Sequence, residues 1–353
     1  MKVLVEAYGE TPMAALERHV VLVDQVRPEP GEGEVLVEVR SAAVGWVDLL
    51  MTSGQYQHMA PPPYTPGLEY TGVVAELGPG VSGLDVGDRV IADGFRTGPR
   101  SSGAHRRWGG FATWTLAPAE ALLPLPEQLS FDQGACLLGN YETAYHCLIA
   151  RGRIQPGETV LVHGASGSTG LAAVHVAKAA GARVIATGRS PEKLAVVKAQ
   201  GADHVVRSVG RFREEVKAIC PRGVDLVYDG VGGEISLESL RCVRFGARFL
   251  IVGWASTPFV ARGKGQRGAP NANVLPTNLL MMKGLDVLGC PTIISTVQDP
   301  SIRGPRLAWI LDKVELGDLA PYIDASYPLP EVHEAMRAKW SSLHVGGCVL
   351  RCR

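Results

Sequence analysis

Residues 160–170, from Val160 to Gly170, read VLVHGASGSTG. An apolar strand runs into glycines at three-residue spacing, and a helix, LAAVHVAKAA, follows and is closed by Gly181. Gly164 lets the chain turn sharply off the strand, Gly167 keeps no side chain between the backbone and a pyrophosphate, and Gly170 lets the helix pack against a sheet. The start of that helix offers free N–H groups to phosphate oxygens. Gly164, Ala165, Ser166, Gly167, Ser168, Thr169 and Gly170 are therefore expected to cradle a dinucleotide. The first interval is one residue longer than in G-x-G-x-x-G, and such a trio also occurs in ordinary tight turns. The strand before it and the helix after it favour the pocket.

Working outward, the stretch sits in a repeating pattern of short apolar strands and helical segments that begins near Ser130. Strands are expected at Thr159 to His163, Arg183 to Thr187, His204 to Val206, Leu226 to Tyr228, Arg248 to Val252 and Asp286 to Leu288. Apolar strands alternating with helices imply a parallel sheet, so the fold class is α/β. Before Pro126 the chain is strand and turn in character, with alternating runs at Glu34 to Arg40 and Thr71 to Glu76 separated by PGEGE, GPGVSG and VGDRV. Arg306 to Glu315 and Pro330 to Ala338 read as helices, and the final strand ends in VGGCVLRC. That tail is expected to return to the first domain.

The chain has 353 residues, 46% of them hydrophobic, enough for two packed cores. Basic and acidic residues balance at 35 each, which leaves no global field to draw in nucleic acid or an anionic membrane. The seven cysteines, Cys136, Cys147, Cys220, Cys242, Cys290, Cys348 and Cys352, contain no C-x-x-C, as expected of buried thiols in a reducing compartment. The cytoplasm is the expected location, since no apolar h-region or membrane-length segment stands out. Two stretches rich in Gly, Ser, Pro and Arg, Asp93 to Arg107 and Pro258 to Pro276, read as loops. Their basic residues (Arg96, Arg100, Arg106 and Arg107; Arg262, Lys264 and Arg267) form either a solvated surface or contacts to a phosphate-bearing substrate.

The second strand of the α/β half ends Thr187-Gly188-Arg189-Ser190. An NAD site places an acid there, about 20 positions past the glycines, to bind the ribose hydroxyls. Gly188 at that position, followed by Arg189, favours NADPH. Ser190 is a natural N-cap and Pro191 suits the first helical position, so Lys193 falls in the first turn, where a cation opposes the macrodipole. A 2′-phosphate held between Arg189, Ser190 and Lys193 relieves that conflict; the alternative is a pair of exposed helix-start charges.

Several separated motifs now agree. PGLEYTGVV from Pro66, VGDRV from Val86, GGFATW from Gly109, NYETAYHCL from Asn140, PGETVLVHGASG, GARVIATGRSPEKL and GADHV occur in order. In this the chain resembles the medium-chain dehydrogenase/reductases, in their zinc-free, zeta-crystallin-like quinone oxidoreductase branch. The resemblance implies a GroES-like catalytic domain over 1–126, a Rossmann domain over 127–296, and a segment, 297–353, that returns to the catalytic domain. It places the active site in the cleft between the two domains and implies a homodimer through strands near Asp286 to Ile294. Zinc-dependent relatives carry a cysteine near position 45 and a G-H-E motif, whereas this chain has Gly45-Trp46-Val47-Asp48 and Gly67-Leu68-Glu69. No cysteine falls between Asp93 and Trp108 either, so neither catalytic nor structural zinc is expected.

Without a Lewis acid, the expected acceptor carries its own electron sink: a quinone, or a double bond conjugated to a carbonyl. The related alternative is an enoyl-thioester reductase acting on acyl-CoA or carrier-bound chains; a non-catalytic NADPH-binding protein is another. The resemblance makes Tyr56, Asp48 and Trp46 the catalytic candidates. Tyr56 would hydrogen-bond the carbonyl oxygen or be a turn tyrosine with its hydroxyl satisfied, Asp48 holds the family's acidic position beside a departure at Gly45, and Trp46 lines a pocket or the core. His58 is a candidate proton donor. Asn140, Tyr141 and Thr143 fall near the nicotinamide, as does Asn278. Asp229, Gly230 and the glycines after Val231, with Gly253 and Trp254, follow strands and belong at the carboxyl edge of the sheet, where ligands bind. Ser208 stands where relatives often have a tyrosine that stacks on adenine.

Overall fold

The computed structural model describes residues 1–56, 58–101, 103–256 and 273–353. Strand β1 (Lys2–Val5) pairs antiparallel with β2 (Val20–Val23), and between them α1 (Pro12–Arg18) is capped by Thr11. The alternating EVLVEV run builds β3 (Glu34–Ala43), and nearly all of it is buried. Helix α2 (Trp46–Thr52) follows, then β4 (Tyr70–Leu77), β5 (Arg89–Ala92), β6 (Trp114–Pro118), β7 (Leu122–Pro124) and α3 (Phe131–Ala135).

Helix α4 (Leu138–Tyr145) runs on into a π-helical turn over His146–Arg151. Beyond it come β8 (Thr159–Val162), α5 (Ser168–Ala179), β9 (Arg183–Gly188), α6 (Pro191–Ala199), β10 (His204–Arg207), α7 (Arg213–Ile219), β11 (Val224–Asp229), α8 (Glu234–Ser239) and β12 (Val243–Ile251). Helix α9 (Thr277–Lys283), β13 (Asp286–Gly289), α10 (Thr292–Gln298) and α11 (Arg303–Glu315) follow; β14 (Ile323–Pro328), α12 (Val332–Trp340) and β15 (Gly347–Arg351) end the chain.

Each of the six strands expected in the α/β half is present, and all pair in parallel in the order β10-β9-β8-β11-β12-β13. That is the doubly wound order, with its switch point between β8 and β11. β12 starts at Val243 rather than at Arg248; its first residues pair with Val224 across a register irregularity, and Gly246 supplies a positive φ of 71°. Val160, Leu161 and Val162 are fully buried, as in a sheet covered on both faces. The other large sheet runs β14-β15-β3-β4-β5-β7 with β6 on β3, so the tail pairs with β3 as expected. These are a GroES-like sheet domain and a Rossmann domain.

Among the described residues the compact units are 1–139 with 321–353, and 140–256 with 273–320. The domain limits expected at 126 and 296 differ from these for physical reasons. Helix α3 packs on β3 and β4 of the first unit, and α11 is tied by Arg303 and Arg306 to Glu142 of the second. Only the last 33 or so residues rejoin the first sheet, a tail of the order of three short elements. Among the described residues no helix is long and apolar enough to cross a membrane.

Candidate functional site

The glycine turn is built from backbone constraints. Gly164 has φ of 62°, in the left-handed region, and Gly170 stands so close that a Cβ there would lie 2.2 Å from the Gly164 carbonyl oxygen. Gly167 is the N-cap of α5 and gives its first turn no side-chain acceptor, so the helix start keeps donors for an anion. Ala165 is buried and its N–H binds the Thr187 carbonyl at 3.1 Å; Ser166, Ser168 and Thr169 are half-buried around it. A residue not singled out from sequence, His163, fixes this turn from below. Ser239 donates to the Ile235 carbonyl at 2.6 Å, so His163 Nε2 donates to Ser239 Oγ at 2.6 Å and its Nδ1 accepts from Thr187 at 2.7 Å. Burial pushes its pKa down to about 4, which keeps the ring neutral.

The turn after β11 faces the glycine turn across the switch point: a Cβ on Gly164 would meet Val231 at 3.3 Å. Asp229 is buried and wholly engaged in local structure. Its Oδ1 accepts from the Val231 and Gly232 N–H groups at 2.8 and 2.9 Å, and its Oδ2 accepts from Ser236. It shapes the turn, while Gly230 borders open space. Gly253 and Trp254 sit after β12, with the Ala255 N–H on the Gly230 carbonyl, and Trp254 is exposed. Asn278 is an exposed residue of the first turn of α9.

At the end of β9 a Cβ on Gly188 would meet Leu194 at 3.2 Å, so the acid of an NAD site would be crowded here. Arg189 is exposed. Ser190 caps α6 by accepting from the Lys193 N–H at 3.3 Å, but its hydroxyl also donates to Glu192 at 2.5 Å. The sequence reading omitted Glu192; it is an acid in the first turn that offsets Lys193. A further cation, Arg207, lies beside Gly188 in the parallel register of β10 on β9. The Glu192 carboxyl is held below its usual value by the Ser190 hydrogen bond first, with a smaller pull from Arg207. Ser208 donates its N–H to the Gly188 carbonyl at 2.9 Å.

Helix α4 joins this framework through Asn140, whose Oδ1 accepts from Thr169 of α5 at 3.0 Å. Tyr141 donates to or accepts from His175 of α5 at 2.7 Å, and Thr143 is half-buried one turn on. Glu142 between them is buried and pairs with Arg303 at 2.9 Å and with Arg306 at 2.6 Å, while Arg306 also reaches Thr296. This clamp was not legible beforehand.

In the first unit, Asp48 is 3% exposed and ties α2 to the PGLEYTG turn. Its Oδ2 accepts from Gly45 N–H at 3.0 Å and its Oδ1 from Gly67 and Leu68 N–H at 3.0 and 3.1 Å. A Cβ at 45 would lie 2.8 Å from Oδ2, so the glycine accommodates the carboxylate. Burial raises the Asp48 pKa to about 6; the three backbone donors and then the Arg100 charge oppose it. Trp46 stacks on Trp340. Tyr56 is half-buried and hydrogen-bonded to Arg100. His58 is half-buried nearby in sequence.

Loop 93–107 therefore does not behave as one solvated surface. Arg106 and Arg107 are exposed, His105 meets Glu34 at 2.8 Å, and Arg100 turns inward. In the other loop, Arg262, Lys264 and Arg267 lie outside the described residues. Lys339 of α12 was also missed: its ammonium is lowered by burial and supported by Cys136, Cys348, Asp48 and Glu69. Among the described residues no three or more His, Cys, Asp or Glu side chains stand together as metal ligands.

Residues 31–127 match the family described as alcohol dehydrogenase GroES-like domain, and residues 168–298 match the one described as zinc-binding dehydrogenase. The chain is 33% identical over 317 residues to quinone oxidoreductase-like protein 2 of Mus musculus, covering 89% of this chain and 83% of that one. It is 31% identical over 310 residues to the quinone oxidoreductase of Homo sapiens, covering 87% and 85%. Among solved structures, the quinone oxidoreductase from Thermus thermophilus, also solved with NADPH, superposes with a TM-score of 0.77 at 31% identity over 99% of this chain and 100% of that one. Fold and site together define a two-domain dehydrogenase/reductase. The chain belongs to the medium-chain dehydrogenase/reductase superfamily, among its quinone oxidoreductase-like proteins.

Proposed function

We propose that the protein reduces a quinone or an α,β-unsaturated carbonyl with NADPH and without a metal. It is an NADPH-dependent oxidoreductase of its family, a cofactor choice supported by the NADPH complex of the Thermus thermophilus relative and by the crowded, acid-free end of β9. When bound, NADPH supplies the hydride. The observation that carries the substrate class is the set of side chains at the positions of the zinc ligands in relatives: Gly45, Trp46 and Leu68 offer no imidazole or thiolate. An acceptor whose own conjugation takes up the charge suits such a site.

The residues divide the work. The turn 164–170 and the start of α5 bind pyrophosphate, and Arg189, Ser190 and Lys193 bind the 2′-phosphate. Asn140, Thr143 and Asn278 fix the nicotinamide, and the backbone of Gly230, Gly253 and Trp254 borders it, with Asp229 holding the turn in shape. In the first unit Tyr56 donates to the carbonyl oxygen, Trp46 presents an aromatic wall, and Asp48 holds the α2 start on which both depend. A homodimer formed on the free edge of β13 is supported by Ile294 and Val297, 43% and 53% exposed on α10, and sedimentation velocity reads it directly.

The test is turnover by metal-stripped protein with a quinone, an enone, an enoyl-CoA, an aldehyde and a secondary alcohol, with NADH or NADP⁺ arms alongside. Quinone or enone reduction that prefers NADPH supports the reading. Activity confined to enoyl-CoA, or restored only by zinc, overturns it.

A further inference from the structure

Loop 93–107 is folded tightly enough to aim a side chain. Asp93 accepts from the Phe95 N–H through its Oδ1 at 2.9 Å and from the Arg96 and Thr97 N–H groups through its carbonyl. Ser101 closes the next turn on the Gly98 carbonyl at 2.8 Å. Of the loop's arginines, Arg96 is held outside by Asp93 and by the Glu120 carbonyl at 2.8 Å. Arg100 takes the opposite course. Its guanidinium lies over the Phe95 ring, 5.0 Å from the centroid, and its Nε points to the Gly94 carbonyl at 3.4 Å. Glycine at 94 opens this lane, since a Cβ there would lie 2.8 Å from Arg100 Nη2. At the end of the lane is the Tyr56 hydroxyl, to which Arg100 donates.

We propose that Arg100 is the positioning residue for Tyr56, holding its phenolic oxygen so that the O–H is directed to the carbonyl oxygen of the acceptor. A phenol has one proton to give and a lone pair to take one. A guanidinium has no acceptor and stays charged, so the contact has only one polarity: Arg100 donates, and the Tyr56 proton is left for another partner. A charged donor on the phenolic oxygen strengthens that O–H as a donor. The inference rests on the quinone or enone reading given above.

The step balances. The acceptor gains the hydride of the reduced nicotinamide at carbon, the π electrons move onto its oxygen, and an O–H bond forms there as the Tyr56 O–H breaks. The phenolate left behind lies against Arg100 and takes its proton back from water. Burial raises the Tyr56 pKa, and the charge and hydrogen bond of Arg100 pull it down. Asp48, whose carboxyl also feels Arg100, and His58, two residues away, are the other titratable groups to account for.

The experiment places 3-fluorotyrosine at position 56 and follows its fluorine resonance against pH in the full chain, beside steady-state turnover. In Arg100→Met the titration midpoint should rise by about one pH unit or more, the scale of a lost neighbouring charge. Arg100→Lys should restore part of the shift, and it serves if the Met variant folds poorly. Turnover should fall about tenfold in Arg100→Met, and adding Tyr56→Phe should cost little more, because the two act as a unit. An unmoved midpoint, or effects of the two substitutions that multiply, overturns the proposal. If the unsubstituted enzyme reduces no quinone or enone, the functional reading fails instead, while the fluorine titration still decides the contact.

Discussion

Trp46 and Trp340 stack face to face, with ring centroids 4.8 Å apart and planes 5° from parallel. Trp46 opens α2 and Trp340 ends α12, so residues nearly 300 apart, on the order of the whole chain, make one aromatic wall in the first unit. Replacing Trp340 by Ala removes the brace behind Trp46. The expected outcome is a loss of about 1–2 kcal/mol in urea unfolding and a several-fold higher KM for the acceptor. The NADPH Kd should be unchanged; a weakened NADPH Kd with an unaltered acceptor KM would count against the wall.

Asp48 sets a pH dependence of known sign. Its folded pKa, about 6, is above the ordinary 3.8, so the folded state holds a proton that the unfolded state has lost between those values. Its stabilising contribution is present at low pH and is lost as pH rises through about 6. At about 1.4 kcal/mol per pH unit the loss is about 3 kcal/mol. Subtracting the stability curve of Asp48→Asn from that of the unsubstituted protein, by urea unfolding from about pH 4 to pH 8, should give a fall across that window. A flat difference curve would show that the carboxyl is not desolvated as described.

Glu142 neutralises two buried arginines within α4. Glu142→Ala leaves Arg303 and Arg306 buried without their carboxylate, and the expected loss is about 3–5 kcal/mol by chemical denaturation. Because α4 also carries Asn140 and Thr143, NADPH affinity should fall in the same variant. Destabilisation below about 1 kcal/mol would mean that water replaces the carboxylate freely.

Much of the second unit was legible because its strands are buried on both faces and read as short apolar runs, Val160 to Val162 being the plainest. The glycine turn was legible because its requirements are local: a positive φ at Gly164 and no room for a Cβ at Gly170. What escaped notice depends on distance along the chain. Glu142 meets Arg303 and Arg306 across 161 and 164 residues, and Trp46 meets Trp340 only after the tail returns. Arg100 escaped for another reason. It looks like its loop neighbours, and only the packing of Gly94 and Phe95 separates it from Arg96.

The end of β9 should discriminate between cofactors through charge. Arg207→Gln is expected to weaken NADPH several-fold and leave NADH unchanged, since only the 2′-phosphate distinguishes the two. Glu192→Gln should tighten NADPH by a similar factor, because a carboxylate no longer occupies the Ser190 hydroxyl. Both effects should shrink as salt rises, as exposed charges are screened over about 10 Å at 0.1 M. Titrating tryptophan fluorescence with each cofactor reads them; equal changes for NADPH and NADH would place Arg207 outside the phosphate site.

The central claim is that hydride passes from NADPH to the carbon conjugated with a carbonyl, not to a carbonyl carbon. Reduction of an enone with NADPH carrying deuterium at the transferred position of C4, followed by mass spectrometry and NMR of the product, tests it most directly. The expected product is the saturated ketone with one deuterium on its β-carbon. An allylic alcohol with deuterium on the former carbonyl carbon, or a reduced product without deuterium, would contradict it.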